Sequence, residues 1–162
     1  DFAEERFATI HGYHRALKMW SRLNRGTPEN PGLVFGLDVG GSCRGVVFRI
    51  DHSRAPDIMD ALWQREMGSG AYLPKWLNCR TPAGNVRALA FTMNRTTDAY
   101  VRNLPAEHLV RVIHNAHGSN GPCLEYVIET AQALKKFNIH DQRLQTVVQQ
   151  LHCPILNAPL NG

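Results

Sequence analysis

The sequence predicts an α+β fold, with a barrel or strongly curved sheet in its first half and helices in its last third. Three observations carry this. Short apolar runs up to Met93 are separated by glycine- and proline-bearing turn clusters, as strands are. One stretch among them, Pro56 to Met67, follows the 3.6-residue period instead. From Pro105 onward that helical period dominates.

Phe7 to Ile10 and Tyr13 to Trp20 read as two short segments broken at Gly12. Leu33 to Leu37 is an apolar run after the Pro31-Gly32 turn, and Arg44 to Ile50 follows it; Gly40-Gly41 between them reads as a hairpin connection. Ser53 is expected to cap the first helix, Pro56 to fill its first turn and Gly68 to stop it, with Ile58, Met59, Leu62 and Trp63 keeping the period. Tyr72 to Cys79 and Val86 to Met93 flank Thr81-Pro82-Ala83-Gly84-Asn85, a second hairpin. The strand-like segments number about half a dozen, enough to close a barrel.

Pro105 opens a helix with Leu109, Val112, Ile113 and Ala116 on its apolar face, and Gly118 is expected to close it. Pro122 opens the next, with Leu124, Val127, Ile128, Ala131 and Leu134 aligned. Asp141 is placed to cap a third, carrying Leu144, Val147, Val148 and Leu151. Residues 153–162 hold two prolines and no period, so an irregular tail is expected after a single domain over 1–152.

The composition is that of a soluble protein able to bury one core: 162 residues, 43% apolar and 20% charged. The net charge is +4, yet the basic residues are scattered and no run exceeds Lys135-Lys136. That pattern argues against nucleic acid as a partner. Cys43, Cys79, Cys123 and Cys153 lie far apart with no C-x-x-C pair, which argues against a zinc ribbon or a redox dithiol and for free thiols in the cytoplasm. No apolar run approaches the roughly 20 residues that span a bilayer, and no signal peptide is read, so no membrane association is expected. His11 with His14, and His114 with His117, are spaced three apart, but no third ligand accompanies either pair, and no metal is expected.

Glu66 is the most informative polar residue. Ile58, Leu62 and Glu66 stand at i, i+4 and i+8, so the carboxyl continues an apolar stripe. It also sits at the helix C-terminal end, where an anion is disfavoured. Both features suit a group that takes up and returns protons. The alternative is a structural carboxylate neutralised by Arg65. Arg25-Gly26-Thr27-Pro28 is either a solvated surface turn or a place where Gly26 lets backbone approach a ligand while Arg25 offers a planar donor fork to a carboxylate. Gly118-Ser119-Asn120-Gly121 is either an ordinary helix connection or a set of N–H groups open to an anion. Tyr72 and Tyr126 are either core rings with satisfied hydroxyls or hydroxyls turned toward a polar substrate.

Taken in order, several stretches resemble the ChaC family. They are Gly12-Tyr13-His14-Arg15-Ala16, Asn24 to Gly32, Gly45-Val46-Val47-Phe48-Arg49, Leu62-Trp63-Gln64-Arg65-Glu66-Met67 with Gly70-Ala71-Tyr72, Ala90-Phe91-Thr92-Met93, and Gly118 to Gly121 followed by Glu125-Tyr126. The resemblance runs from Phe2 to about Leu151. It implies a small mixed or antiparallel β-barrel flanked by helices, and a γ-glutamylcyclotransferase that converts glutathione to 5-oxoproline and cysteinylglycine without metal or organic cofactor. It implies Glu66 as the acid–base residue, and Arg25, Gly26, Thr27, Tyr72 and Tyr126 as positions near the substrate. The family's Y-G-S-L-type stretch on the first strand is not found here; by the resemblance it would stand just before Asp1, and the domain as written would lack that strand. A non-catalytic binding or cation-transport regulatory protein on the same scaffold, and a cyclotransferase for other γ-glutamyl amines, are the alternatives.

Overall fold

The computed structural model describes residues 4–153. The tail expected over 153–162 lies outside the described residues apart from Cys153. Contacts within the chain group into two compact units. The first takes the chain up to Arg15 with Gly36–Thr97, and the second takes Ala16–Phe35 with the chain from Asp98 onward. Among the described residues no helix is long and apolar enough to cross a membrane.

The first unit holds the barrel. The barrel strands are β1 (Glu4–Ser21), β2 (Gly32–Arg49), β3 (Tyr72–Thr81) and β4 (Gly84–Met93), closed in the order β1-β2-β4-β3, and the first unit takes β1 up to Arg15 and β2 from Gly36. The expected hairpin of β3 and β4 is present, in continuous register from Tyr72↔Met93 to Thr81↔Gly84. Its two-residue turn is held by the Thr81 side chain: Ala83 N–H donates to Oγ1 at 3.2 Å, and Oγ1–H donates to the Gly84 carbonyl at 2.7 Å. Antiparallel pairing of Thr9 with Arg80 and parallel pairing of Leu37 with Thr92 complete the closure. The β2–β4 pair is parallel because helix α1 (Ala55–Met67) and β3 intervene, the long crossover that parallel neighbours need.

Two sequence expectations fail in this unit, for one reason. Gly12 does not break β1, and Gly40-Gly41 does not turn a hairpin; each lies inside one continuous strand. These glycines carry φ of +87°, +101° and +70°, conformations that bend a strand without ending it. β2 has β1 on one side and β4 on the other, so its backbone finds partners outside itself. Helix α1 begins at Ala55 with Arg54 rather than Ser53 in the capping position, and it has no side-chain cap. Gly68 ends it, as expected.

The second unit is built on helices α2 (Ala106–Asn115), α3 (Cys123–Lys136) and α4 (Gln142–Leu151). Its core joins Leu17 and Leu33 to Val110, Ile113, Cys123, Val127, Leu144 and Leu151. Pro105 and Pro122 stand in the capping positions of α2 and α3, where extended backbone meets the helix and no N–H is missed. Gly118 does not close α2. Ala116 is already extended, and its carbonyl accepts the Cys123 N–H at 3.0 Å, so the chain leaves the helix early. It then forms the short ladder of β5 (His117–Gly118) and β6 (Gly121–Pro122) where a plain helix connection was expected. At the end of α3, Asn138 takes φ 53°, and the Ile139 and Asn138 N–H groups bond the Leu134 and Lys135 carbonyls. This is a Schellman closure with Asn in the glycine position.

Asp141 caps α4 as read from sequence, its Oδ1 accepting the Leu144 N–H at 3.0 Å. Asp141→Ala is expected to lower unfolding free energy by about 1 kcal/mol in urea titration, the usual worth of such a cap.

Candidate active site

In the first unit, Glu66 occupies the last turn of α1. The helix buries one side only partly: Ile58, Met59, Leu62, Glu66 and Met67 are partly shielded, while Asp57, Asp60, Ala61, Gln64 and Arg65 are exposed. The stripe read from the i, i+4, i+8 spacing is therefore real, although Trp63 falls outside it and is exposed. The Glu66 side chain is 21% exposed against 71% for Arg65, whose Nε donates to Glu66 Oε1 at 2.8 Å. Arg65 is thus the neutralising neighbour anticipated from sequence. A pair of adjacent residues with one member this exposed is held weakly, and Arg65 is the only polar side-chain partner of Glu66 among the described residues.

Tyr72 opens β3, opposite Met93. Gly36 of β2 lies against both: a Cβ added there would stand 3.1 Å from Tyr72 Cε1 and 3.0 Å from the Met93 side chain. Glycine at position 36 makes the room in which the Tyr72 ring sits. Sequence reading passed over Asp38, two residues further along β2. Its side chain is 4% exposed, its Oδ1 accepts the Val39 N–H at 2.9 Å, and Arg95 Nε approaches the same oxygen at 3.6 Å. An isolated Asp in a strand carries no motif, so nothing in the sequence singled it out.

The second unit brings together Arg25, Gly26, Thr27 and Tyr126. The segment after β1 is wound tightly, with the Arg25 N–H donating to Ser21 Oγ at 3.0 Å. Gly26 is fully enclosed; a Cβ there would collide with Gly32 N, Ser21 O and Pro31 C, all backbone atoms. The Gly32 and Gly118 positions are closed in the same way, by Arg25 backbone and by Leu23, Asn24 and Arg25 backbone respectively. These glycines are required by backbone packed on backbone. Thr27 organises the next turn, its Oγ1 accepting the Asn30 N–H at 3.1 Å, and Asn30 Nδ2 reaches the Asn115 carbonyl at 3.0 Å.

The Arg25 guanidinium lies over the Tyr126 ring, 5.1 Å from its centroid, and Nη1 donates to the Pro122 carbonyl at 3.4 Å. A cation held over an aromatic face keeps its planar fork oriented. Tyr126 is anchored in turn: its hydroxyl accepts the Phe35 N–H at 3.1 Å, and its ring meets Phe35 at 5.6 Å between centroids. Beneath this pair Cys123 is wholly buried, its thiol accepting the Leu33 N–H and facing the Leu33 carbonyl, each at 3.3 Å. Burial pushes the Cys123 thiol up, against the smaller opposing pull of the Leu33 hydrogen bond and the Arg25 charge, which keeps it an inert packing group.

The Gly118–Gly121 segment is not an open anion site. The Ser119 and Asn120 N–H groups are spent on the Leu23 and Asn24 carbonyls at 2.8 and 2.9 Å. His114 and His117 are exposed, and among the described residues no group of three His, Cys, Asp or Glu side chains could hold a metal ion.

A family model described as ChaC-like protein matches residues 1–153. A glutathione-specific gamma-glutamylcyclotransferase of Escherichia coli is 30% identical over 149 residues, 91% of this chain and 64% of that protein's length. The chain thus spans less than two thirds of that relative. A rat glutathione-specific gamma-glutamylcyclotransferase 1 is 25% identical over 91% of this chain and 69% of its own length. Among solved structures, a yeast gamma-glutamyl cyclotransferase specific to glutathione superposes with a TM-score of 0.80 at 21% identity, covering 93% of this chain and 88% of the other. At that identity the likeness speaks for the fold, and it bears out the α+β barrel architecture.

Gly26→Ala forces a methyl group into backbone atoms on three sides and is expected to cost about 1–3 kcal/mol. A lowered midpoint in thermal or urea unfolding checks this; an unchanged midpoint would mean that the turn is not closed as described.

Proposed function

The chain belongs to the ChaC-like protein family, and on that premise we propose that it is a γ-glutamylcyclotransferase that converts glutathione to 5-oxoproline and cysteinylglycine. The observation that carries the reading is the family match over 1–153 together with a carboxyl, Glu66, on the shielded stripe at the end of α1. The α-amine of the γ-glutamyl group attacks its own γ-carbonyl carbon, a C–N bond forms, and the bond to the cysteinyl nitrogen breaks. Glu66 accepts the proton released by the amine and returns it to the departing nitrogen, so no net proton is consumed. The Glu66 carboxylate leaves Arg65 to do this, an exchange favoured by the exposure of the Arg65 side chain. Ring closure within one substrate gains from a chain held folded in a near-attack arrangement.

Arg25, Gly26, Thr27, Tyr72 and Tyr126 are proposed as substrate-binding positions because they match the family's motifs. For Arg25 the geometry adds a reason: its oriented guanidinium suits a carboxylate, and glutathione carries two. An Arabidopsis thaliana relative, 27% identical, is named gamma-glutamylcyclotransferase 2-3 with no substrate stated. The leaving amine is therefore best tested with a panel of γ-glutamyl compounds.

Glu66→Gln removes the proton-carrying group while keeping the shape of the side chain. The expected outcome is a fall in 5-oxoproline formation from glutathione of about a hundredfold or more, with the thermal midpoint unchanged. Turnover close to wild type in that variant would reject the assignment.

A further inference from the structure

We propose that Asn94 is a positioning residue for Glu66, acting through the turn that joins α1 to β3; the inference rests on the acid–base reading of Glu66 given above. That turn is Gly68 to Ala71, and within it Gly70 takes φ +67°, in the left-handed region. Two bonds close the turn on itself: Gly70 N–H donates to the Met67 carbonyl at 3.2 Å, and Ala71 N–H donates to Ser69 Oγ at 3.3 Å. Neither fixes the Gly70 and Ala71 carbonyls. Both of those are taken by one residue. The Asn94 N–H donates to the Ala71 carbonyl at 2.9 Å, and Asn94 Nδ2–H donates to the Gly70 carbonyl at 3.1 Å.

The first of these bonds extends the β3–β4 ladder one step beyond Tyr72↔Met93. The second continues the ladder with a side chain, at the point where the chain turns away from the sheet. The Asn94 amide is itself held from the other end. Its Oδ1 accepts the Thr96 N–H at 3.2 Å and the Thr96 hydroxyl at 2.7 Å. A reversed amide would set oxygen against the Gly70 carbonyl, so the network allows one orientation. The neighbouring Arg95 reaches the buried Asp38 of β2, which ties the segment after β4 to the barrel wall.

Glu66 stands two residues before this turn, and its one polar side-chain partner among the described residues is the exposed Arg65. Nothing rigid therefore holds the carboxyl through its own oxygens. Its direction follows the end of α1, and that end follows the turn clamped by Asn94. Misplacing a reacting group by about 1 Å costs on the order of a hundredfold in rate, so loosening the clamp is read in kcat before it is read in substrate affinity.

The test uses full-length protein with glutathione as substrate and compares wild type, Asn94→Asp, Asn94→Ala and Glu66→Gln, measuring kcat and KM against pH beside the thermal midpoint. Asn94→Asp keeps the acceptor for Thr96 but turns a carboxylate on the Gly70 carbonyl at neutral pH. Its kcat is expected to fall about tenfold or more with KM nearly unchanged. Its kcat relative to wild type is expected to recover as pH falls toward about 4, where the carboxyl gains a proton and can donate again. Asn94→Ala loses kcat with no such recovery. If Asn94→Asp fails to fold, Asn94→Ser, whose hydroxyl is too short to reach Gly70, carries the same kcat test at neutral pH. A folded Asn94 variant with kcat within about twofold of wild type overturns the proposal, as does a loss in Asn94→Asp that is the same at every pH. An active Glu66→Gln would instead overturn the acid–base reading, and an inactive Glu66→Gln beside a fully active Asn94→Asp would overturn the Asn94 clamp alone.

Discussion

The register of the β3–β4 hairpin sets almost everything of chemical interest in the first unit. With Tyr72 opposite Met93, the chain enters β3 where the glycine of β2 leaves space for an aromatic ring, and Asn94 falls level with Ala71. A slip by one residue would turn every side chain of β3 to the other face, carry Tyr72 away from Gly36, and leave the carbonyls of the α1–β3 turn without their donor. The two-residue turn at Pro82-Ala83, closed by the Thr81 hydroxyl, is the local device that fixes the register. The parallel β2–β4 contact at Leu37↔Thr92 then fixes the hairpin within the barrel. Glu66 inherits its place from this sequence of constraints.

The second unit reaches order by a different route. Its distinctive residues are glycines that permit backbone to lie on backbone, at 26, 32 and 118, and the side chains of that region are oriented by main-chain groups. Tyr126 accepts from Phe35 N–H, the Arg25 guanidinium donates to Pro122, and the buried Cys123 thiol sits between the N–H and carbonyl of Leu33. Groups fixed to main chain move only when the main chain does, which suits recognition of a small polar molecule better than long side chains paired with each other would.

Much of this was legible in the sequence where local chemistry decides local structure. The β3–β4 hairpin follows from its turn cluster, α2 and α3 from prolines at their starts, α4 from the Asp141 cap, and the stripe that holds Glu66 from plain helical spacing. Glycine misled wherever long-range pairing overrode it. Gly12, Gly40 and Gly41 read as breaks, yet strands on either side keep β1 and β2 continuous through them. The Gly118–Gly121 stretch read as a helix connection or as open donors, yet it forms a short ladder whose Ser119 and Asn120 N–H groups are satisfied by the chain near Leu23, far away in sequence. Asp38 and Asn94 were invisible for the same reason: a single polar residue has no periodicity, and its role arises only when another strand or turn is brought against it. The Arg65 pair with Glu66 was foreseen as the competing structural role, and it is present.

The proposed glutathione cleavage, with Glu66 as its acid–base residue, would require the Glu66 carboxyl to exchange its exposed guanidinium partner for the reacting nitrogen atoms. The most direct measurement is a crystal structure of the full-length protein with 5-oxoproline bound. The expected result is the lactam nitrogen within hydrogen-bond distance of a Glu66 carboxyl oxygen, about 2.6–3.2 Å, with Arg65 turned away. Product bound elsewhere while Glu66 still rests on Arg65 would contradict the assignment of the acid–base role to this residue.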